Sequence, residues 1–198
     1  MIPTYQMVDM TTRDTLLQTA ETLVRRKGMD AFSFADLAKA ASIQKASVHY
    51  HFPTKADLAV TLVEDYAERF LSDLARIDRQ ETTAGSKLIA YLKLYRRALA
   101  GGKQLCLCVA MSASRDSFND DVLAHLKQFH AQSVDWLVTV FEKAKSDGSI
   151  EHVVDATAEA KATLALVQGA QLLARERKNA RAYDEATELL AHRVRHQD

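Results

Sequence analysis

Apolar residues recur at helical spacing along almost the whole chain. Leu16, Leu17, Ala20, Leu23 and Val24 share one face of a first helix that begins near Thr12. Gly28 follows the cationic Arg25-Arg26-Lys27 and fits a glycine C-cap after a basic last turn. Ser33 then caps a short helix running to Ala41, with Asp36 as an acidic first-turn residue. Ser42-Ile43-Gln44 makes a tight connection. A third helix of about two turns, "KASVHYHF", is stopped by Pro53, which disfavours helical geometry in the residue before it. Thr54 caps a long helix with Asp57 in its first turn, and Leu58, Leu62, Val63, Tyr66, Phe70 and Leu74 form its apolar face. "RQETTAGS" reads as a loop. Further helices are predicted over Lys87–Ala100, Lys103–Ser112, Asn119–Ser146, Ala156–Glu176 and Asp184–Arg195, which brings the count to nine.

Composition agrees with an all-α fold. Six glycines and two prolines in 198 residues supply too few turns for an all-β protein, and alternating runs are missing. The expected organisation is an N-terminal three-helix helix-turn-helix domain over residues 1–56. A larger helical ligand-binding and dimerisation domain follows over 57–198. Formal net charge is zero, so the chain is not a polycation that coats nucleic acid. Residues 1–55 nevertheless carry seven basic side chains against five acidic ones, a mild bias that suits a phosphate-facing surface. Two cysteines make no disulfide framework and suggest a reducing, cytoplasmic setting. No apolar run is long enough for a membrane span. "MIPTYQMVDMTT" lacks the pattern of a signal peptide and reads as a frayed arm.

The stretch "ASIQKASVHYHFPTK" puts His49, Tyr50 and His51 in a row behind a small Ala46-Ser47 step. A core helix would carry aliphatics there. Two short helices joined by a tight turn and braced by a first helix form a helix-turn-helix unit, whose second helix enters the DNA major groove. Ile43, Val48 and Phe52 are then expected to face inward. Lys45, Ala46, Ser47, His49, Tyr50 and His51 are left outward. Small residues allow close approach to DNA, and the lysine, serine and rings can reach phosphates, sugars or base edges. Lys55 follows the cap beside a flanking phosphate.

On these residues the chain resembles the TetR/AcrR family of transcriptional repressors. "FSFADLAKAASIQKASVHYHFPTKADLAVTLVEDY" carries the capped second helix, the turn, the small-residue recognition helix and the start of the long connector. The resemblance implies a homodimer through the last two helices, a palindromic double-stranded DNA operator and a small-molecule effector pocket among the central helices. It implies DNA contacts from Lys45, Ala46, Ser47, His49, Tyr50, His51 and Lys55, with Ser33 on a phosphate. One departure is His49, where the family often has tyrosine.

"GGKQLCLCVAMSASRD" places Cys106 and Cys108 two apart on a predicted helix, pointing to nearly opposite sides. They read either as two buried small hydrophobes or as a site where one thiol senses electrophiles or oxidants. TetR-like repressors that sense electrophiles resemble this arrangement, with a cysteine starting the sixth helix and a lysine after a Gly-Ala-x-x-x-Ala pattern on the eighth. Here "QGAQLLAR" puts Arg175 in that place, a charge that can lower a thiol pKa. Other candidates for the effector pocket are Tyr91, Tyr95, Met111, Phe118, Phe129 and Trp136, each equally readable as core. Gln168 and Gln171 are the polar pair of an otherwise apolar helix, suited to a pocket or to a dimer interface. That helix is apolar nearly all round, as if buried on two sides. His192 and His196 have metal-clamp spacing but sit in a terminal, solvated stretch, and His125 and His130 lack the spacing. No catalytic order, phosphate loop or zinc spacing occurs, so neither an enzyme, a metal site nor a cofactor is expected. A helical adaptor without DNA binding is the alternative.

Overall fold

The computed structural model describes residues 11–195; His196 and residues 1–10 of the expected frayed arm lie outside them, while its last two residues, Thr11 and Thr12, cap and begin the first helix. Nine α-helices are present among these residues: α1 Thr12–Lys27, α2 Phe34–Ala40, α3 Lys45–His51, α4 Lys55–Gln80, α5 Ala84–Ala98, α6 Leu107–Ser112, α7 Asp120–Asp147, α8 Ala156–Glu176 and α9 Arg181–His192. The fold is all-α, with one isolated backbone bridge, Ile150 to Val194.

Local chemistry sets most of the starts. Thr11 with Asp14, Ser33 with Asp36, Thr54 with Asp57 and Thr83 with Ser86 each form a reciprocal capping box. Gly28 and Gly148 close α1 and α7 with positive φ. The first three helices pack on Leu16, Val24, Leu37, Val48 and Phe52, all at most 4% exposed. Leu58 and Leu62 of α4 join this small core, and further along α4 packs on α5, α6 and α7. α4 is therefore one rod shared by the N-terminal helices and the larger bundle. In that bundle α8 lies between α7 and α9, and Tyr183 of α9 donates to the Leu92 carbonyl of α5 at 2.9 Å.

Three predicted spans change. α5 starts three residues early, because Thr83 and Ser86 cap each other and the Ala84 N–H donates to Asp147 at 2.8 Å. The predicted helix Lys103–Ser112 breaks. Gly101 and Gly102 take φ of 73° and 90°, and the Leu105 and Cys106 amides donate to the Arg25 carbonyl and the Gln171 side chain instead of a helical ladder. At the other end, α9 begins at Arg181 and stops at His192. The Arg195 N–H then donates to the Ser149 carbonyl, and the Glu151 N–H to the Arg193 carbonyl.

Gly102 is squeezed as well as left-handed: a Cβ there would lie 2.6 Å from the Asn179 nitrogen and 2.7 Å from the Lys178 carbonyl carbon. Gly101 shares the positive φ but has open space around it. Gly102→Ala is expected to cost about 3 kcal/mol, through backbone clash added to strain. Gly101→Ala should cost about 1 kcal/mol. Chemical denaturation of the two variants side by side checks the difference.

Candidate nucleic-acid interface and small-molecule cavity

α3 stands on a buried Val48 and Phe52 and turns its other side outward. Lys45, Ala46, His49 and Tyr50 are exposed, Ser47 and His51 half-exposed, and Tyr50 is 83% exposed. Tyr50 takes no part in the hydrophobic core. The rings are nonetheless held in place. His49 meets Phe34 of α2 edge-on at 5.0 Å, and Tyr50 meets His51 edge-on at 5.1 Å. The turn before α3 is fixed by the Ile43 N–H donating to the Ala38 carbonyl at 2.9 Å. Arg13 at the start of α1 lies over the Phe52 ring at 5.6 Å, a neighbouring cation that no local motif announces.

Two of the expected DNA contacts have other duties. The Lys55 ammonium donates to the Met29 carbonyl at 2.9 Å and lies 5.0 Å above the Phe32 ring, tying the start of α4 to the α1–α2 connection. Ser33 gives both its N–H, at 2.8 Å, and its hydroxyl, at 2.7 Å, to the Asp36 carboxylate. Those bonds hold Asp36 below the usual carboxylate range. An ionised carboxylate beside Ser33 opposes a phosphate at that point.

The second feature is a cavity of about 250 Å³ between α1, α4, α5 and the α6 start. Tyr66, Phe70, Tyr95, Arg97 and Cys106 are in its lining, and Arg25 closes one side. One side chain behind the lining ties two of its residues together. Gln171 of α8 accepts from the Cys106 N–H at 2.9 Å and donates to the Tyr95 carbonyl at 2.8 Å. Arg25 fixes the wall: its guanidinium donates to the Leu105 carbonyl at 2.9 Å, to the Ala98 carbonyl at 2.6 Å and to Glu21 at 2.8 Å. The Tyr95 hydroxyl is buried without a hydrogen-bond partner.

Cys106 sits at the N-cap position of α6 in an extended conformation, φ −54° and ψ 141°. The expectation that the two cysteines share one helix and point apart fails for this reason. Burial opposes ionisation of Cys106. The Cys108 thiol, the Tyr66 hydroxyl and the first-turn N–H groups of Val109 and Cys108 outweigh it and bring the thiol down to about 7. Tyr66 donates to the sulfur at 3.3 Å. Burial pushes Cys108 upward instead, reinforced by its bond to Cys106. Arg175 is not among these groups; its guanidinium donates to the Arg26 carbonyl at 2.7 Å.

Of the expected pocket residues, only Tyr95 and Cys106 line this cavity, and Gln171 supports it from behind. Tyr91, Met111 and Phe129 are core. The Tyr91 hydroxyl bonds Ser133 at 2.8 Å, and Trp136 stacks on the Tyr91 ring at 5.5 Å while donating to Asp78. Phe118 packs half-buried against the core, and Gln168 is half-buried with its amide nitrogen unpaired. Tyr66, Phe70, Arg25 and Arg97 were missed. The first two sit at core spacing on α4, and nothing in a sequence separates a cavity wall from a core face.

The outer side of α8 is bare. Ala158, Ala162 and Ala165 are exposed, a Cβ at Gly169 would meet nothing within 4 Å, and Leu172 and Leu173 are 48% and 45% exposed. Leu189 of α9 is 72% exposed. The expectation that α8 is buried on two sides thus holds for one side within this chain.

The family model for bacterial regulatory proteins of the tetR family matches residues 16–62. IcaR of Staphylococcus epidermidis, the biofilm operon icaADBC HTH-type negative transcriptional regulator, is 24% identical over 130 residues, covering 66% of this chain and 69% of IcaR. The crystal structure of a TetR-family transcriptional regulator from Agrobacterium tumefaciens superposes with a TM-score of 0.87 at 28% identity, covering 93% of this chain and 97% of that one. A TetR transcriptional regulator from Legionella pneumophila gives 0.84 at 26% identity, covering 96% and 100%.

The acidity of one thiol and not the other has a kinetic consequence. Thiolate is the reacting form, so alkylation of Cys106 by iodoacetamide should accelerate as pH rises through about 7 and level off above. Tyr66→Phe removes a donor to the sulfur and should move that inflection upward. Cys108 should stay unmodified in the folded protein. Peptide mass spectrometry across a pH series reads all three.

Proposed function

The chain belongs to the TetR family of bacterial transcriptional regulators, and on that premise we propose that it is a repressor, a homodimer on a palindromic operator, released when a small electrophile enters the cavity and modifies Cys106. The observation that carries the DNA-binding part is α3 itself, an outward face of exposed Lys45, Ala46, His49 and Tyr50 with half-exposed Ser47 and His51 on a buried Val48. Lys55 and Ser33 brace that face rather than reach from it. Repression is the activity named for IcaR.

Two α8 helices packed together, with two α9 helices, would cover the bare side. Ala158, Ala162, Ala165, Gly169 and Leu172 follow a four-three spacing along α8 with Leu173 beside them, and small residues let helices approach closely. Such a dimer presents two α3 helices, and an operator fits them when they stand about 34 Å apart, one turn of DNA.

The Arg25 cluster supports the coupling. Arg25 belongs to α1, yet it holds the carbonyls of Ala98 and Leu105 that frame Cys106. Its own carbonyl accepts from the Leu105 N–H at 3.0 Å. An adduct on Cys106 has to displace the Tyr66 bond and the α6 start, and α1 moves with them. The effector thereby favours one of two arrangements of the dimer.

Selection from a random duplex pool should enrich a palindrome with half-sites about one helical turn apart. No enrichment in reducing buffer would sink the DNA-binding reading. Tyr50→Ala should weaken that site about tenfold or more, and Lys45→Ala should weaken all sequences and lower the salt dependence by about one phosphate contact. N-ethylmaleimide should release the protein from the site, and Cys106→Ser should not respond. Leu173→Arg should yield monomers in sedimentation and lose the palindrome.

A further inference from the structure

Cys106 and Cys108 are the chain's two cysteines, and both are buried. On a continuous helix, residues two apart point to nearly opposite sides, which keeps their thiols from meeting. Cys106 stands outside the helix. At the N-cap of α6, with ψ 141°, its side chain turns back over the first turn. There its sulfur accepts from the N–H groups of Cys108 and Val109, and the Cys108 thiol donates to the same sulfur. The two sulfur atoms are therefore neighbours.

The backbone between them suits a covalent bond. Only Leu107 intervenes, and it is the first helical residue of α6. A helical residue holds the Cα atoms on either side of it about 5.5 Å apart, within the span that disulfides bridge. The two sulfurs also differ in access. Cys106 lines the cavity, so a small reagent reaches it first, whereas Cys108 is outside the lining.

Resting on the reading of Cys106 as the responsive thiol, we propose that Cys106 and Cys108 form a reversible dithiol: a hydroperoxide entering the cavity oxidises Cys106, and Cys108 closes a disulfide onto it. In the first step the Cys106 sulfur attacks a hydroperoxide oxygen and the O–O bond breaks. The thiol proton leaves with the departing alcohol or water, and Cys106 becomes a sulfenic acid. In the second step the Cys108 sulfur attacks the Cys106 sulfur and the S–O bond breaks. The Cys108 proton leaves with the hydroxyl as water. Each thiol gives up one electron and the hydroperoxide takes two. A dithiol reductant reverses the bond by exchange. With no third cysteine in the chain, Cys108 is the one thiol of the same chain that can take this second step.

The test treats the full protein with hydrogen peroxide and reads it by peptide mass spectrometry. Lys103 and Arg115 bound a single tryptic peptide that contains both cysteines, so the bond registers there as a loss of two hydrogens. Dithiothreitol should restore the original mass. Dimedone, which captures sulfenic acid, should label Cys106 about tenfold or more in Cys108→Ser relative to the unaltered protein. Cys108→Ala, which buries no hydroxyl, should repeat that trapping. In Cys106→Ser, Cys108 should stay reduced. Equal dimedone capture with and without Cys108, irreversible sulfinic acid as the main product, or a disulfide between two chains in its place would each overturn the proposal. If N-ethylmaleimide still modifies Cys106 and releases DNA in that event, the pairing alone is rejected. A disulfide that forms and is reduced as described while operator binding stays unchanged would confirm the pairing and reject the release of DNA through Cys106.

Discussion

The guanidinium of Arg25 holds together parts of the chain that are far apart in sequence. It projects from α1, bonds the end of α5 through Ala98, bonds the segment before α6 through Leu105, and balances its charge on Glu21. Three bonds from a planar, always-charged group define an orientation and not merely a proximity. The helix-turn-helix face and the cavity are set relative to one another by that group. Glu21 extends the cluster to Arg69 of α4, so the rod that joins the two parts of the molecule is tied into it as well.

Backbone groups taken up by tertiary partners make the cavity. In a continuous helix the Cys106 N–H and the Tyr95 carbonyl would be bonded within the ladder. Here both bond to Gln171, a fully buried glutamine from α8. The break between α5 and α6 is thus satisfied in part from other elements, as buried backbone must be. Its consequence is chemical. Released from a helix interior, Cys106 becomes an N-cap residue whose sulfur faces first-turn amides and the Tyr66 hydroxyl. Its neighbour Cys108, inside the first turn, meets the opposite conditions and keeps its proton. Two thiols two residues apart differ in character because of their environment alone.

The α3 face follows a different logic. Val48 and Phe52 anchor seven helical residues, and capping boxes at Ser33 and Thr54 fix the helices on either side. Lys55 and Ser33, polar and near the surface, are occupied by that bracing. The residues left free are the ones whose side chains have no internal hydrogen-bond partner, Tyr50 foremost. A surface assembled in this way is rigid in its backbone and open in its side chains.

Much of this was legible in the residues. Helical spacing from Leu16 to Leu74, the Ser/Thr-x-x-Asp caps, Pro53 after the recognition helix and the Gly148 stop each act within a few residues, so the sequence carries them directly. The outward face of α3 also followed, because polarity opposite Val48 leaves one arrangement. The break before α6 did not follow: "LCLCVAMS" has the composition of a continuous helix, and only Arg25 and Gln171, 80 and 65 residues away along the chain, hold it open. The same holds for Arg175, expected beside the thiol and found on the Arg26 carbonyl, and for Tyr66 and Phe70, whose core spacing conceals a cavity wall. By itself the sequence determined the helices, their caps and the exposed recognition face, since those depend on neighbours in the chain. The tertiary structure decided which thiol is acidic and where the cavity lies, since those depend on groups that only folding brings together.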